Sequence, residues 1–575
     1  MWRLLVVVCV ACTATRPKLP LVTTGEASQY VKTGRYAEAV QLCRDFARVY
    51  ADVTCKTIGL TLEDRPIVAL HVSRGSDRPT IYLQGGIHAG EIEGKDAGFW
   101  FLRDLLDGKV APGALDAVDV MFVPVINPDG HERFGPNNRP NQRGPEEMGF
   151  RTNAARLNVN RDFVKADSQE MHAILGVVRR HDPIVFVDLH ATDGAKFEHD
   201  IAVMVGPLAP RADPLEETAQ ALSAQLMTRL TALGHLPLPF YPSFDKDDDP
   251  TSGFSAGEAP LRFSTPYMSM GRSRIGILVE THSWRTYKER VHSTYHLLQA
   301  LFERAITDAP VWAKAARDAD TAELALRGGE LPLVYTNGPR VTQLDFRGYA
   351  YEVKTSDLTG GTWITYDESK PQIWKVPLRD EVVPKLVTRV PKVGYIIDGG
   401  FAAQLAPLLD RHGIRYMRIA GTPRVDVEAF RATKVKFEQP FEGRTRVELT
   451  GAWAGEARTL DQGAIFVSLN QPLVRLIVHL MDPAGPDSFA QWGFVTTAFE
   501  RKEYIEGYVI EDQARQMLDK DPSLRAQFDA AVAADPELAK SPERKRDWFY
   551  RRHPAWDDKY NLLPIYRSDR ELTGN

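Results

Sequence analysis

The sequence predicts an α/β fold: a mostly parallel or mixed sheet sandwiched by helices, followed by a second, accessory part with β-rich and α/β segments. Three observations predict it. Between residues 79 and 306, short apolar runs alternate with stretches of ten or more residues at helical periodicity, the pattern of strands joined by crossover helices. Histidines and glutamates recur at the ends of those runs, where open α/β sheets bind ligands. Past residue 310 the texture turns β-branched, aromatic and turn-rich, which suits antiparallel sheet.

The elements follow in order. Residues 26–50 carry apolar positions at helical spacing and predict one or two opening helices. KTIGLTLEDRPIVALHVS holds two short runs around Glu63-Asp64-Arg65-Pro66, a hairpin. PTIYLQGG is a strand, EGKDAGFWFLRDLLDG a helix, AVDVMFVPVINPDG a strand and turn, and SQEMHAILGVVRRHDP a helix. PIVFVDLHATDG is strand and turn again. PLEETAQALSAQLMTRLTALG is a helix, IGILVETHS a strand and RVHSTYHLLQALFERA a closing helix. Residues 330–392 predict antiparallel strands, and VGYIIDGGFAAQLAPLLDRHGIRYMRIA a strand, helix and strand. Residues 511–539 predict short helices broken at Pro522 and Pro536. The natural cut falls at 310–330, which divides the chain into 1–20, 26–310 and 325–575.

At 575 residues the chain can hold two or more cores. Hydrophobic content of 43% and charged content of 26% describe a globular protein. A net charge of −5 is nearly balanced and gives no reason to expect nucleic acid or anionic membrane as the main partner. Residues 1–20 are different: one arginine precedes an apolar run from Leu4 to Cys12, and small residues follow. That is the layout of an export signal, though a short one, and predicts a periplasmic or extracellular protein. Cys12 is a candidate lipid-attachment residue, which Cys9 fits poorly. No later apolar stretch reaches spanning length, so the mature chain is expected to have no transmembrane span. Cys43 and Cys55 remain; they either pair or stay as two buried thiols.

Four places carry chemistry. His88 and Glu91 follow the strand PTIYLQGG within GGIHAGEIEG, His190 ends IVFVDLH, and Glu280 ends IGILVE. Singly, a strand-end histidine is more often structural than a ligand. Together they deliver two imidazoles and two carboxylates to one sheet edge. Two imidazoles and one carboxylate suit a catalytic zinc, which keeps its fourth position for water. Gly85, Gly86 and Gly90 permit the tight loop that offers His88 and Glu91 to one ion. A further carboxylate must take the water's proton, and Glu280 is the candidate. Glu93 falls at the start of a helix, as a dipole-favoured carboxylate. The fourth place is FRTNAARLNVNRDF, where Asn160-Arg161 sets an amide beside a guanidinium, a pairing suited to gripping a carboxylate.

This set resembles the zinc metallocarboxypeptidase family, of the carboxypeptidase A type, over roughly residues 40–300. The resemblance rests on HAGE, NPDG, LNVNRDF, a strand-end histidine and a strand-end glutamate in that order. It implies one zinc ion on His88, Glu91 and His190, with Glu280 as general base. A peptide or peptidoglycan-type peptide would be the substrate, its terminal carboxylate held by Asn160 and Arg161. Arg151 precedes Asn160 at the spacing of the oxyanion-steadying arginine in short-loop members, and Arg139 and Arg143 compete for that role. Two departures stand out. Many members carry an aspartate two residues before the Asn-Arg pair, and this chain has Asn158. Many carry a mobile tyrosine some way before the catalytic glutamate; Tyr267 lies closer and Tyr241 farther. Tyr267 is taken as the substrate-binding candidate. NPDG is expected to be a structural turn.

Rival readings have weaker support. GFSAG (253–257) matches the serine-hydrolase pattern, but it follows an acidic loop and lacks a following helix. A zinc-dependent N-acyl amino acid amidohydrolase would also grip an amino-acid carboxylate. A non-catalytic cell-envelope binding protein with a retained metal site is the third. PERKRDWFYRRHPAW (542–556) interleaves cations and aromatics, which packed, snorkelling side chains explain as well as nucleic acid does.

Overall fold

The computed structural model describes residues 20–75 and 77–572; residues 1–19, and with them the body of the expected export segment, lie outside them. Among the described residues, nine strands build the first half: β1 Val53–Leu60, β2 Pro66–Val72, β3 Thr80–Gly85, β4 Asp119–Val123, β5 Val185–Ala191, β6 Ile201–Gly206, β7 Pro237–Leu238, β8 Phe254–Ser255 and β9 Ile275–Thr281. Eight of them form one sheet in the order β1-β2-β4-β3-β5-β9-β6-β7. The centre is parallel: β3 pairs with β4 and β5, and β5 with β9. Antiparallel pairs β1–β2, β2–β4 and β6–β9 make the sheet mixed. The β6 segment, IAVMVG, was not expected from the sequence. All six residues are buried, so it lacks the alternation that marks a half-exposed strand.

Alternating side chains of the central strands feed two cores. Ile81, Leu83, Val185 and Val187 pack on helices Tyr36–Val49, Glu93–Leu106, Pro214–Ala232 and Tyr287–Glu323. Tyr82 and Phe186 face the other way, into a core with Ile174 of helix Gln169–His181 and residues as distant as Leu409, Ile477 and Trp492. Helices therefore cover one face, and the other is shared between one helix and the C-terminal region. Cys43, on helix Tyr36–Val49, and Cys55, on β1, form a disulfide.

The boundary expected at 310–330 is crossed twice. Helix Tyr287–Glu323, opened by a Thr286–Glu289 capping box, runs 37 residues through Pro310. Beyond it come β10 Glu330–Asn337, the hairpin of β11 Thr342–Thr355 and β12 Thr362–Arg379, and β13 Val382–Arg389, which pairs with β10. The end of β12 pairs with β8 in the first half. Then β14 Gly394–Ile397, β15 Met417–Arg418, β16 Arg424–Phe441, β17 Arg444–Thr459, β18 Ile465–Ser468 and β19 Ile565–Ser568 form a six-stranded sheet. Helices Gly507–Lys520, Ser523–Ala534 and Pro536–Lys540 break at Pro522 and Pro536 as the sequence predicts. Helix Pro542–Tyr550 buries Trp548, Phe549 and Tyr550, and the Arg552 guanidinium lies 3.5 Å above Trp548. The cation–aromatic interleaving there is packing. Among the described residues no helix is long and apolar enough to cross a membrane.

Candidate metal centre

β3, β5 and β9 are adjacent and parallel, so their carboxyl ends open on one spot. His190 on β5 and Glu280 on β9 are register partners. After β3 the chain turns at Gly86, whose φ of 65° an L side chain rarely adopts. The His88–Glu91 turn follows, closed by the Glu91 N–H on the His88 carbonyl at 2.9 Å. Gly90 permits a close approach: a Cβ there would lie 2.5 Å from the Gly149 carbonyl and 2.6 Å from Arg139 Cγ.

His88, Glu91 and His190 are buried, and their ligand atoms lie within 4.8 Å of one another. Glu91 is the hub. Its Oε1 lies 3.0 Å from His88 Nδ1 and its Oε2 2.9 Å from His190 Nδ1. A tetrahedral ion with bonds of about 2.1 Å sets neighbouring ligand atoms about 3.4 Å apart, close to this spacing. The far nitrogens also have neighbours: His88 Nε2 is hydrogen-bonded to Asn158 Oδ1 at 3.1 Å, and His190 Nε2 lies 3.0 Å from Asp188 Oδ2 as a close charge pair outside hydrogen-bond geometry. Both rings therefore present Nδ1 to Glu91 while a second group stands at Nε2, hydrogen-bonded for His88 and a nearby carboxylate for His190, the arrangement that orients metal-binding histidines. The donor set fits a zinc ion in chemistry, number and direction.

The electrostatics agree. Burial lowers the His88 pKa to about 4, against the pull of Glu91, which keeps the imidazole neutral. Burial opposes ionisation of Glu91, yet His88, Arg139 and His190 hold it well below the usual carboxylate range. Burial likewise opposes charge on His190, but Asp188 and Glu91 raise it well above the usual imidazole range. Burial, with repulsion from Glu91 and Asp193 outweighing His190, pushes Glu280 well above the usual carboxyl range. Its Oε2 has no hydrogen-bond partner among the described residues.

A cavity of about 490 Å³ opens on this cluster; His88, Glu91, Arg151, Asn160, Arg161 and Glu280 all line it. The three arginines separate by partner. Arg143 is bound to Glu368 at 2.7 Å. Arg139 grips Glu91 Oε1 at 2.6 Å, away from the cavity. Arg151 faces the cavity with Nη1 3.6 Å from Glu91 Oε1. Asn160 and Arg161 stand on a short turn, Val159–Arg161, capped by the Asn158 side chain on the Asn160 N–H. The Arg161 guanidinium lies 4.2 Å over Phe263 and pairs with no carboxylate among the described residues. Asn160 Oδ1 is buried without a hydrogen-bond partner among the described residues.

Tyr267 is the correction. It is fully buried, and its hydroxyl lies 2.8 Å from His412 Nδ1 rather than in the cavity. Tyr241 lines the cavity instead, 37% exposed. Glu93 starts its helix as expected, buried with Thr281 Oγ1 at 3.2 Å and Arg290 at 3.6 Å. NPDG is a cap: Asn127 Oδ1 accepts the Gly130 N–H, and Asp129 takes Thr61 and Arg65. Ser255 lies in β8 with no helix after it, so the hydrolase elbow is absent there. Asp188 was missed, although two-residue spacing on a strand puts it on the His190 face. Asp380 and Val382, from beyond the expected boundary, also line the cavity, and no local signal announced them.

Residues 39–194 match the sequence model of the zinc carboxypeptidase family, Peptidase M14. Carboxypeptidase A4 of Mus musculus is 36% identical over 110 residues, 18% of this chain and 26% of that protein. An inactive metallocarboxypeptidase of Saccharomyces cerevisiae is 33% identical over 113 residues, 17% of this chain and 26% of that one. The chain thus spans about a quarter of the length of these curated relatives. The solved carboxypeptidase A of Helicoverpa armigera superposes with a TM-score of 0.37 at 14% identity, covering 50% of this chain and 74% of that one. The matched span holds His88, Glu91, Asn160, Arg161 and His190; Glu280 lies beyond it.

Proposed function

From a chain that carries a zinc carboxypeptidase domain at residues 39–194, we propose hydrolysis of a C-terminal peptide bond, or a peptide-like amide, at the His88–Glu91–His190 cluster. The observation that carries this reading is convergence: two ligands of the three-residue cluster, a carboxyl group whose Oε2 has no hydrogen-bond partner and a guanidinium with no carboxylate partner among the described residues line one cavity. We take residues 26–310 as the catalytic part and 325–575 as the part that walls and braces it.

His88 Nδ1, Glu91 and His190 Nδ1 would hold the zinc. When bound, the ion polarises the scissile carbonyl and makes a water acidic enough to attack near neutral pH. Arg161 pairs with the substrate's terminal carboxylate, and Asn160 donates from its amide beside it. That clamp fixes the last peptide bond over the cluster and makes the enzyme an exopeptidase. Glu280 takes a proton from the attacking water and returns it to the leaving nitrogen. Arg151 faces the developing oxyanion, where a preorganised cation acts most strongly. The Cys43–Cys55 pair supports an oxidising compartment, and so export.

The test is metal analysis of the purified chain with mass spectrometry of a mixed peptide library. One zinc per chain and loss of single C-terminal residues support the reading. Cleavage at internal bonds contradicts it, and release of amino acids from N-acyl conjugates alone favours the amidohydrolase.

A further inference from the structure

β16 and β17 run far from their own sheet, and their turn, Glu442-Gly443, touches the catalytic half. Both turn residues have positive φ, 49° and 79°. Such hairpin turns favour Asn-Gly or Asp-Gly; a glutamate at positive φ is uncommon and calls for a reason. The tip is fixed on several sides. Arg444 makes a two-pronged pair with Asp167 at 2.7 and 2.6 Å and lies 3.7 Å over Phe494. Phe441 stacks on Trp492 at 6.0 Å. Between these anchors Glu442 Oε2 accepts the backbone N–H of Asn158 at 2.8 Å.

Asn158 is where the site's two functions meet. Its side-chain oxygen holds His88 Nε2 and also caps the Asn160 N–H, both at 3.1 Å. One residue therefore sets the tautomer of a metal ligand and the turn that carries Asn160 and Arg161. A carboxamide can do this but brings no charge. Glu442 brings a carboxylate to the same residue from 284 positions farther along the chain.

We propose that Glu442 is a positioning residue that fixes Asn158, and through it His88 and the Asn160–Arg161 clamp, making the C-terminal hairpin a working part of the site. The proposal rests on the zinc carboxypeptidase reading. It accounts for a glutamate in a turn that favours other residues, and for two pairs of anchors placed either side of it.

The experiment compares the full-length parent with Glu442→Gln, Glu442→Ala, Glu442→Ala with Asn158→Asp, and Glu448→Gln as an exposed control on the same hairpin. Zinc dissociation constants come from competition with a fluorescent chelator, and KM and kcat from a peptide taken from the library. Glu442→Ala should weaken zinc binding about tenfold, the scale for losing an outer partner of a metal ligand. It should also raise KM severalfold while kcat changes less. Glu442→Gln should fall between, Asn158→Asp should recover zinc affinity, and Glu448→Gln should match the parent. Parent-like zinc affinity and KM in Glu442→Ala would overturn the proposal. So would a loss that follows thermal stability and is not recovered by Asn158→Asp. A parent that binds no zinc and shortens no peptide would instead overturn the functional reading beneath it.

Discussion

In the proposed mechanism Glu280 and Arg151, which line the same cavity, do different work, and substitution separates them. Glu280→Gln keeps the shape but cannot accept a proton, so turnover should fall about 10²–10⁴-fold with one zinc still bound. Turnover within tenfold of the parent would remove Glu280 from the base role. Arg151→Ala should lower kcat about 10²–10³-fold, the scale for losing a donor to a developing oxyanion, while Arg161→Ala should act mainly on KM. Equal effects of the two on KM would contradict that division. The residues proposed as ligands and base could be singled out in the sequence because they stood where apolar runs ended, and the structure brings them together. Tyr267 was misread for a physical reason. Spacing along the chain does not say which way a side chain turns, and this one turns inward to His412. Asp188 was legible in principle, two residues from His190 on one strand, but a buried aspartate looks like any strand polar residue until its partner is known.

The elements that place the site are adjacent strands whose helices and turns were largely readable. β6 was not, because a strand buried on both faces has no alternation. The long hairpin β11–β12 lay in a segment read only as β-rich, β16–β17 fell in a stretch to which no element was assigned, and their reach into the first half depends on contacts far apart in sequence. One such contact gives a pH prediction. Burial resists ionisation of Asp167, but Arg444 and Lys165 hold its carboxyl below the usual range. A depressed folded-state pKa stabilises above the unfolded value, about 3.9, and that stabilisation is lost as pH falls through the folded value. Asp167→Asn should therefore melt below the parent at pH 6, with the gap closing below about pH 4. A gap that widens on acidification would contradict the pairing.

The molecule as a whole does not divide where the texture of the sequence changes. Tyr82, Phe163, Phe186 and Tyr267 share a core with Tyr395, Leu409 and Trp492, so removing the C-terminal region would expose the part of that face of the central sheet that helix Gln169–His181 leaves uncovered. A chain ending at 324 should lack a cooperative thermal transition, whereas the full chain should melt with its zinc site intact; a soluble, cooperatively melting truncation that binds zinc would contradict this. Composition could not reveal that dependence, since both halves look equally globular. The central claim is that one zinc at His88, Glu91 and His190 drives removal of C-terminal residues. It is tested most directly by titrating zinc into the stripped enzyme while mass spectrometry follows peptide shortening. The account predicts that shortening by single residues rises in proportion to zinc up to one ion per chain, and that Glu280→Gln takes up the same zinc with turnover reduced by at least about 10²-fold. Shortening that needs no zinc, or that survives His190→Ala unchanged, would contradict it.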